Sequence, residues 1–267
     1  MDSFTSRRVT AEYEAMTSVR LPRESRREQT ISRKALWRVL GSVFVIGLTV
    51  GCFYIDSHVA LFVRNHKTVE SIGWAAWVAR WGDFGGVAAG ASVLWVAAYF
   101  FRLRGLAYWI QVMAVSAVLS GVSANVIRGI SGRTRPNAGL VEGWHGPSAA
   151  LTLSRDSHRF HAFPSAHTAV VAGFLSPVLV VAMRRRRARW VALGGGAVVG
   201  IGVMAVSRVW TGAHHLSDVW AAMVLGVGWG VYFSQARVLG CWMGRLRRTF
   251  LGTRDRSSRV TAPSAHS

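Results

Sequence analysis

Three short polar segments contain the side chains that could do chemistry in this chain. They are residues 128–136, 163–167 and 207–218. Together they supply arginines, histidines, a serine and a carboxylate. This set suits phosphoryl transfer, in which the protein positions the reacting groups and stabilises the charge that spreads over the phosphate oxygens. The arginines are suited to phosphate because a guanidinium group donates two parallel hydrogen bonds and stays charged at any relevant pH.

Two histidines are candidates for the chemical steps. His214 and Asp218 are four residues apart, so on a helix they share a face, and the carboxylate can orient the imidazole as a nucleophile. His167 is the best placed residue to protonate the departing oxygen and then to accept a proton from water. This interpretation requires no metal ion and no cofactor.

The carboxylates on the same side of the predicted fold are few and scattered. A dinuclear metal site, which needs several carboxylates close together, is therefore not the first choice. Besides Asp218, they are Asp56, Glu70, Asp83, Glu142 and Asp156.

The elements that position these segments are apolar runs long enough to cross a membrane. Of the 267 residues, 51% are hydrophobic and 16% are charged, which is typical of a membrane protein. Six runs approach the ~20 residues that a spanning helix needs. They cover residues 39–55, 84–101, 106–127, 166–183, 190–206 and 216–233. The sequence therefore predicts an all-α bundle of six transmembrane helices.

The distribution of positive charge predicts the orientation of the bundle. The net charge is +20, and most of the 32 basic residues lie in the two termini and in the loops at 102–105 and 184–189. Cytoplasmic loops carry such an excess, so both termini are predicted inside and the three polar segments outside. Basic residues clustered in this way are typical of segments that determine membrane topology and also contact anionic lipids. Their distribution argues against a nucleic-acid partner.

The ends of the chain and one connection complete the predicted organisation. Residues 1–35 and 241–267 are predicted to be basic cytoplasmic tails, and residues 36–240 form the membrane domain. Flexibility is predicted for residues 1–35 and for the last dozen residues of the chain. Between the first two spans, Trp74, Trp77 and Trp81 recur at helical spacing and predict a short helix in the outer interface. Glycine pairs four residues apart, such as Gly226 and Gly230, are interpreted as close helix contacts.

The three polar segments resemble the signature of the type-2 phosphatidic-acid phosphatase superfamily, which includes vanadium haloperoxidases. Its motifs run Lys-x6-Arg-Pro, Pro-Ser-Gly-His and Ser-Arg-x5-His-x3-Asp. In this sequence, Arg128 takes the lysine position and Ala166 takes the glycine position. The other fixed positions match, namely Arg135, Pro136, Pro164, Ser165, His167, Ser207, Arg208, His214 and Asp218.

The resemblance implies a role for each matched residue. It implies a membrane lipid phosphatase in which His214 forms a phosphohistidine, Asp218 orients His214, and His167 is the general acid and then the base. It also implies that the phosphate is held by Arg128, Arg135, Arg208, the Ser165 hydroxyl and the backbone N–H of Ala166. The substrate implied is a lipid phosphate or diphosphate, such as phosphatidate, phosphatidylglycerol phosphate or a polyprenyl diphosphate.

Other interpretations stay open at this point. A phosphotransferase could pass the phosphate from His214 to an acceptor other than water, and a transporter or an inactive scaffold could be built on the same spans. Arg133, Arg155 and Arg159 are interpreted as topology or snorkelling residues. His215 is interpreted as a neighbour of the nucleophile that faces another way.

Overall fold

The computed structural model describes residues 23–151, 157–185 and 187–235, which form helices joined by short loops, without a β-strand. The chain divides into two units, Met1–Gly51 and Cys52–Ser267. In chain order the α-helices are α1 Arg23–His66, α2 Val69–Trp81, α3 Phe84–Phe100, α4 Arg104–Ser131, α5 Gly146–Ala150, α6 Ala166–Arg185, α7 Ala188–Trp210 and α8 Leu216–Gln235. A short 3₁₀ helix, Ser157–Phe160, precedes α6.

The helices match the predicted membrane spans. In the described part of the chain, five segments are long and apolar enough to cross a membrane: Ala35–His66, Arg104–Ser131, Ala166–Arg185, Ala188–Trp210 and Leu216–Gln235. Helices α2 and α3 pass the same test together as one span bent by 54°. Counting that pair gives six spans, and the all-helical membrane bundle predicted from the sequence is confirmed.

The short helix predicted between the first two spans is α2. Thr68 caps its first turn, because the Thr68 hydroxyl accepts a hydrogen bond from the backbone N–H of Ser71, and the Ser71 hydroxyl accepts one from the N–H of Thr68. Trp74, Trp77 and Trp81 are all exposed. The position of α2 in the membrane interface stays a prediction.

Helix α6 is the centre of the unit formed by residues 52–267. It contacts α4, α7 and α8 along its length and α3 more briefly. Its neighbours approach closely because small residues lie at the contacts. A Cβ on Gly226 of α8 would lie 2.6 Å from the Ala169 carbonyl oxygen, and a Cβ on Gly230 would overlap the Ser176 hydroxyl. The interpretation of this glycine pair as a close helix contact is correct.

The predicted tails lie largely outside the described residues. The structure describes nothing before Arg23 or after Gln235. Helix α1 begins at Arg23, inside the segment that the sequence assigned to the N-terminal tail. The boundaries predicted for the membrane domain, residues 36–240, therefore stay predictions.

Candidate active site

The three polar segments meet at one end of the bundle. The first follows the end of α4, the second leads into α6, and the third joins α7 to α8. Backbone hydrogen bonds tie them to one another. They run from Ala162 N–H to the Arg133 carbonyl (3.0 Å), from Ser165 N–H to the Asp218 carbonyl (3.2 Å) and from Asn137 N–H to the Gly212 carbonyl (3.1 Å).

Gly132 makes the first of these segments possible. It ends α4 with a φ of 58°, a left-handed conformation that glycine adopts without strain. Any Cβ at this position would overlap the backbone of Gly146. The chain therefore turns sharply after α4 and directs Arg133 and Arg135 toward the other two segments.

The three motif arginines surround this meeting point. Arg128 and Arg208 lie in the last turns of α4 and α7, and Arg135 lies in the loop after α4. The Nη2 atom of Arg128 lies 3.5 Å from the Pro164 carbonyl oxygen. The three guanidinium groups are close enough to interact electrostatically with one another and with His167. Arg135 and Arg208 also interact with His214.

These cations are partly removed from water without a full set of partners. The Nε atoms of Arg128, Arg135 and Arg208 are buried and have no hydrogen-bond partner among the described residues. Burial lowers the pKa of Arg135, and the nearby carboxylate of Asp218 only partly opposes that effect. Such a cluster of desolvated cations favours the binding of an anion.

His214 is buried with one ring nitrogen fixed and the other available. Its exposed fraction is 1%, and its Nδ1 atom lies 2.6 Å from the Ala162 carbonyl oxygen. A carbonyl oxygen only accepts, so Nδ1 carries the hydrogen and Nε2 carries the lone pair. The Nε2 atom has no partner in the described part of the chain. Burial lowers the pKa of His214 to about 4, although Asp218 opposes the shift, so the ring is neutral near pH 7.

The carboxylate predicted to orient His214 is farther from the ring than this carbonyl oxygen. Asp218 Oδ2 lies 3.8 Å from His214 Nδ1 and accepts the backbone N–H of His215 at 2.7 Å. The other oxygen, Oδ1, lies 2.6 Å from Arg133 Nη1. The Ala162 carbonyl oxygen is therefore the hydrogen-bond acceptor for His214, while Asp218 acts on the ring through its charge.

The interpretation of Arg133 as a snorkelling residue is wrong. Its exposed fraction is 2%, and its guanidinium group binds carboxylates from three parts of the chain. Besides Asp218, Nη2 binds Asp56 Oδ2 at 2.8 Å and Glu142 Oε1 at 2.9 Å. Burial tends to lower the pKa of Arg133, but the carboxylates outweigh burial and raise it. Of the arginines interpreted in the same way, Arg159 is partly buried, and Arg155 lies outside the described residues.

Asp56 completes this group, the Arg133 cluster, from helix α1. Besides binding Arg133, it accepts a hydrogen bond from the backbone N–H of Ser217 at 2.8 Å, and its other oxygen accepts the Ser217 hydroxyl. Phe53 and Trp144 cover the guanidinium group, with ring centroids 5.2 Å and 5.0 Å from Cζ. A carboxylate at the end of a membrane span is a functional candidate by default, and the position of Asp56 directly after the run at 39–55 was the signal that the sequence offered.

His167 lies in the first turn of α6 beside an acidic residue from another element. Its Nε2 atom lies 3.5 Å from Asp83 Oδ1, and Asp83 precedes α3 as its N-cap residue. In the sequence, Asp83 is only one of several scattered carboxylates. Nothing in the sequence spacing links Asp83 to His167, because the two lie on separate elements.

Ser165, two residues before His167, is held by the third segment, because its backbone N–H donates a hydrogen bond to the Asp218 carbonyl oxygen. Ser165 is fully buried, and its hydroxyl accepts a hydrogen bond from the Thr168 hydroxyl at 3.1 Å. Ala166 is the first residue of α6. The backbone N–H groups in the first turn of a helix have no acceptor within the helix. The N–H of Ala166 therefore makes no hydrogen bond within α6.

Two cavities adjoin the candidate centre, and each contains one of the histidines. The cationic cavity has a volume of about 460 Å³ and is lined by His214 and Arg135 together with the C-terminal end of α1. The His167 cavity has a volume of about 330 Å³ and is lined by His167, Arg128 and Asp83. An apolar cavity of about 450 Å³ lies between α3 and α4 and shares Phe84 and Val118 with the His167 cavity.

One group of ligand atoms has the spacing of a metal site. Atoms of Asp56, Glu142 and His215 lie within 4.8 Å of one another. Arg133 Nη2 already binds both carboxylates of this group. The guanidinium group therefore occupies the position where a cation would neutralise them.

A comparison with known protein families matches the part of the chain that contains the three polar segments. The model of the PAP2 superfamily matches residues 109–239. No curated protein matches the chain.

Two solved structures are similar to this fold. One is a transmembrane PAP2-type phosphatidylglycerolphosphate phosphatase from Bacillus subtilis, with 14% identity and a TM-score of 0.52 over 79% of this chain and 97% of that chain. The other is LpxE from Aquifex aeolicus, with 15% identity and a TM-score of 0.47 over 68% of this chain and 96% of that chain.

Proposed function

Since the chain belongs to the PAP2 superfamily and has the fold of a membrane phosphatase, we propose that it hydrolyses a lipid phosphate or lipid diphosphate through a phosphohistidine on His214. The observation that carries this proposal is the neutral, buried imidazole of His214, whose Nε2 lone pair is free near the guanidinium groups of Arg135 and Arg208. A neutral ring nitrogen is nucleophilic, and the guanidinium groups stabilise the charge of the phosphoryl group that it attacks.

The proposed reaction has two steps. In the first step, His214 Nε2 attacks phosphorus, the bond from phosphorus to the lipid oxygen breaks, and His167 donates a proton to that oxygen. In the second step, His167 takes a proton from water, the water oxygen attacks phosphorus, and the bond from phosphorus to His214 breaks. Inorganic phosphate is released, and His167 is again protonated.

The remaining motif residues are proposed to hold the phosphoryl group. Arg128, Arg135 and Arg208 would bind its oxygens, with the Ser165 hydroxyl and the Ala166 N–H as further donors. These groups supply the positive charge that a metal ion supplies in other phosphatases, so we propose a reaction without a metal ion. Asp218 would stabilise the positive charge that develops on His214 in the first step.

The cavities support a lipid as the substrate. The His167 cavity, where the leaving oxygen would be protonated, adjoins the apolar cavity between α3 and α4, because Phe84 and Val118 line both. An acyl or polyprenyl chain in the apolar cavity would bury its surface against alanine, valine and tryptophan side chains. The phosphate would then reach the arginines from the side of His167.

The positive-inside rule supports the proposed orientation. We place both termini in the cytoplasm and the candidate site on the outer side of the membrane. The connections at the opposite end of the bundle from the site are rich in arginine, from Arg102 to Arg104 and from Arg184 to Arg189.

A phosphate-release assay tests the proposed function. Purified full-length protein in detergent is given a panel of lipid monophosphates and diphosphates, with a chelator present. We expect release of inorganic phosphate by the wild type and a loss of about a thousandfold or more in His214→Ala and His167→Ala, because each removes a group that acts on the reacting atoms. No release from any lipid by folded wild-type protein would reject the proposal.

Labelled substrate distinguishes hydrolysis from transfer. If the label appears as free phosphate, water is the acceptor. If it appears on a second lipid, the phosphohistidine is retained but the protein is a phosphotransferase. If solute flux persists in His214→Ala while no phosphate is released by the wild type, the transport interpretation replaces both.

A further inference from the structure

His215, next to the proposed nucleophile, has no role in the reaction described above. Its exposed fraction is 4%, and it lines the cationic cavity. Neither ring nitrogen has a hydrogen-bond partner among the described residues, and its Nε2 atom lies 3.7 Å from Glu142 Oε1. A buried imidazole that faces a cavity without a protein partner is suited to bind a polar ligand there.

The cationic cavity has an excess of positive charge. Arg64 and Lys67, at the end of α1, line it together with Arg135. Glu142 is the one carboxylate among the described lining residues, and it is bound to Arg133 at 2.9 Å. The charge of Arg64, Lys67 and Arg135 is therefore not neutralised from within the cavity.

Lys67 reaches the loop that carries the nucleophile. Its Nζ atom lies 4.0 Å from the position that a Cβ on Gly212 would occupy. Gly212 has a φ of 68° and accepts a hydrogen bond from Asn137 N–H, which joins two walls of the cavity. The ammonium group thus lies over the segment between Arg208 and His214.

We propose that the cationic cavity is a second phosphate site, in which Arg64, Lys67 and His215 bind a phosphate group beside the one attacked by His214. This inference rests on the proposed function for its biological meaning. Two molecules could supply this phosphate group. It is either the second phosphate of a lipid diphosphate or the inorganic phosphate that the reaction releases.

The side on which the cavity lies favours a role for the released phosphate. In the proposed reaction the lipid product leaves on the His167 side, where the apolar cavity begins. Inorganic phosphate leaves from His214, which lines the cationic cavity. Cations at this position would draw the anion away from the membrane side of the site.

The decisive experiment counts phosphate sites without relying on turnover. Purified full-length protein is dialysed to equilibrium against radiolabelled inorganic phosphate, and the bound label is measured. We expect about two phosphates per chain for the wild type and about one for the double variant Arg64→Gln/Lys67→Gln, because charge-assisted hydrogen bonds dominate phosphate binding. Arg64 and Lys67 are exposed, so the double variant should fold normally.

The control removes a positive charge elsewhere. Arg104 is exposed at the start of α4, the end of that helix remote from Arg128, so Arg104→Gln should retain about two phosphates per chain. One phosphate per chain in the wild type, or two in the double variant, would overturn the second site. Neither result would affect the proposed function, which is tested separately by the release of phosphate from lipids.

Kinetics of the same variants identify the source. An increase of about tenfold in the KM for a lipid diphosphate, with the KM for the matching monophosphate unchanged, assigns the site to the second phosphate of the substrate. An increase of about tenfold in the inhibition constant of inorganic phosphate, with both KM values unchanged, assigns it to the product. No change in any of the three constants overturns the site.

Discussion

Carboxylates stabilise a guanidinium group that is removed from water, and the two Nη atoms of Arg133 bind Asp56, Glu142 and Asp218. The Arg133 cluster also fixes the position of the proposed catalytic carboxylate. Asp218 uses one oxygen to bind Arg133 and the other to accept the His215 N–H. Arg133 is therefore a positioning residue for the site.

Removal of the Arg133 side chain should destabilise the protein. Arg133→Gln leaves two buried carboxylates without their cation, so we expect a loss of about 3 kcal/mol in the free energy of unfolding. Thermal unfolding in detergent measures the effect. The control is Glu142→Gln, which removes a partner that is 42% exposed and should cost much less. Equal losses in the two variants would show that the cluster does not depend on burial.

The pKa of His214 makes stability depend on pH. It is about 4 in the folded chain, against 6.5 in the unfolded chain, because burial disfavours the charged ring. The unfolded chain therefore binds the proton first, and the stability contributed by neutral His214 is present above pH 6.5 and lost as the pH falls from 6.5 to 4. Between pH 7 and pH 5, wild type should lose about 2 kcal/mol more than His214→Gln. Parallel losses, measured by unfolding at each pH, would contradict this prediction.

Asp83 should affect the chemical step and leave substrate binding largely intact. It lies 3.5 Å from the Nε2 atom of His167, and Asp83→Asn would remove the carboxylate that interacts with this ring. We expect kcat to fall by about tenfold with KM within about twofold of the wild type. Glu70→Gln, on exposed helix α2, is the matched control and should leave both constants unchanged. A rise in KM with kcat retained would instead place Asp83 in substrate binding.

The sequence predicted the motif residues of the site but not their supports. Fixed spacings predicted that Arg128, Arg135, Arg208, His167, His214 and Asp218 would come together, and the structure brings them to one end of the bundle. The Ala162 carbonyl that fixes the His214 ring could not be predicted, because backbone acceptors carry no residue signature. Arg133 was misinterpreted because its partners come from positions 56, 142 and 218, which no local pattern connects.

At the scale of elements, α6 determines how tightly the bundle packs. A side chain larger than hydrogen at Gly226 would collide with the backbone of Ala169. Gly226→Val should therefore lower the free energy of unfolding by about 2 kcal/mol or more. Gly228→Val, at a position with no atom within 4 Å of the added Cβ, is the control. Similar melting temperatures for the two variants would show that α6 and α8 are not in close contact.

Helix positions were predictable to within a few residues because apolar runs end at charged or proline-containing loops. The runs at 166–183 and 216–233 became helices Ala166–Arg185 and Leu216–Gln235. Helix α1 is the exception, because Arg23–His66 extends well beyond the apolar run at 39–55 at both ends, and Arg23 lies in a polar segment without apolar periodicity. Glycine spacing was also an incomplete guide, since Gly196, unlike Gly226, has no neighbouring atom where a Cβ would be.

At the scale of the whole molecule, orientation in the membrane is the prediction to test. In a chain whose two cysteines are replaced by alanine, Asn137→Cys lies in an exposed loop beside the site, and Arg104→Cys lies at the start of α4. A membrane-impermeant maleimide applied to intact cells should label Asn137→Cys and spare Arg104→Cys. The opposite pattern would place the site in the cytoplasm.

Because the His167 cavity and the apolar cavity share Phe84 and Val118, the position of the lipid chain would determine which substrate concentration controls the rate of such an enzyme. A lipid that keeps its chain among the helices while its phosphate is cleaved never leaves the bilayer. Turnover would then follow the mole fraction of the lipid in the membrane and would respond little to the amount of lipid per volume of solution. Dilution with inert detergent or phospholipid should slow the reaction even when the total amounts of enzyme and substrate are unchanged.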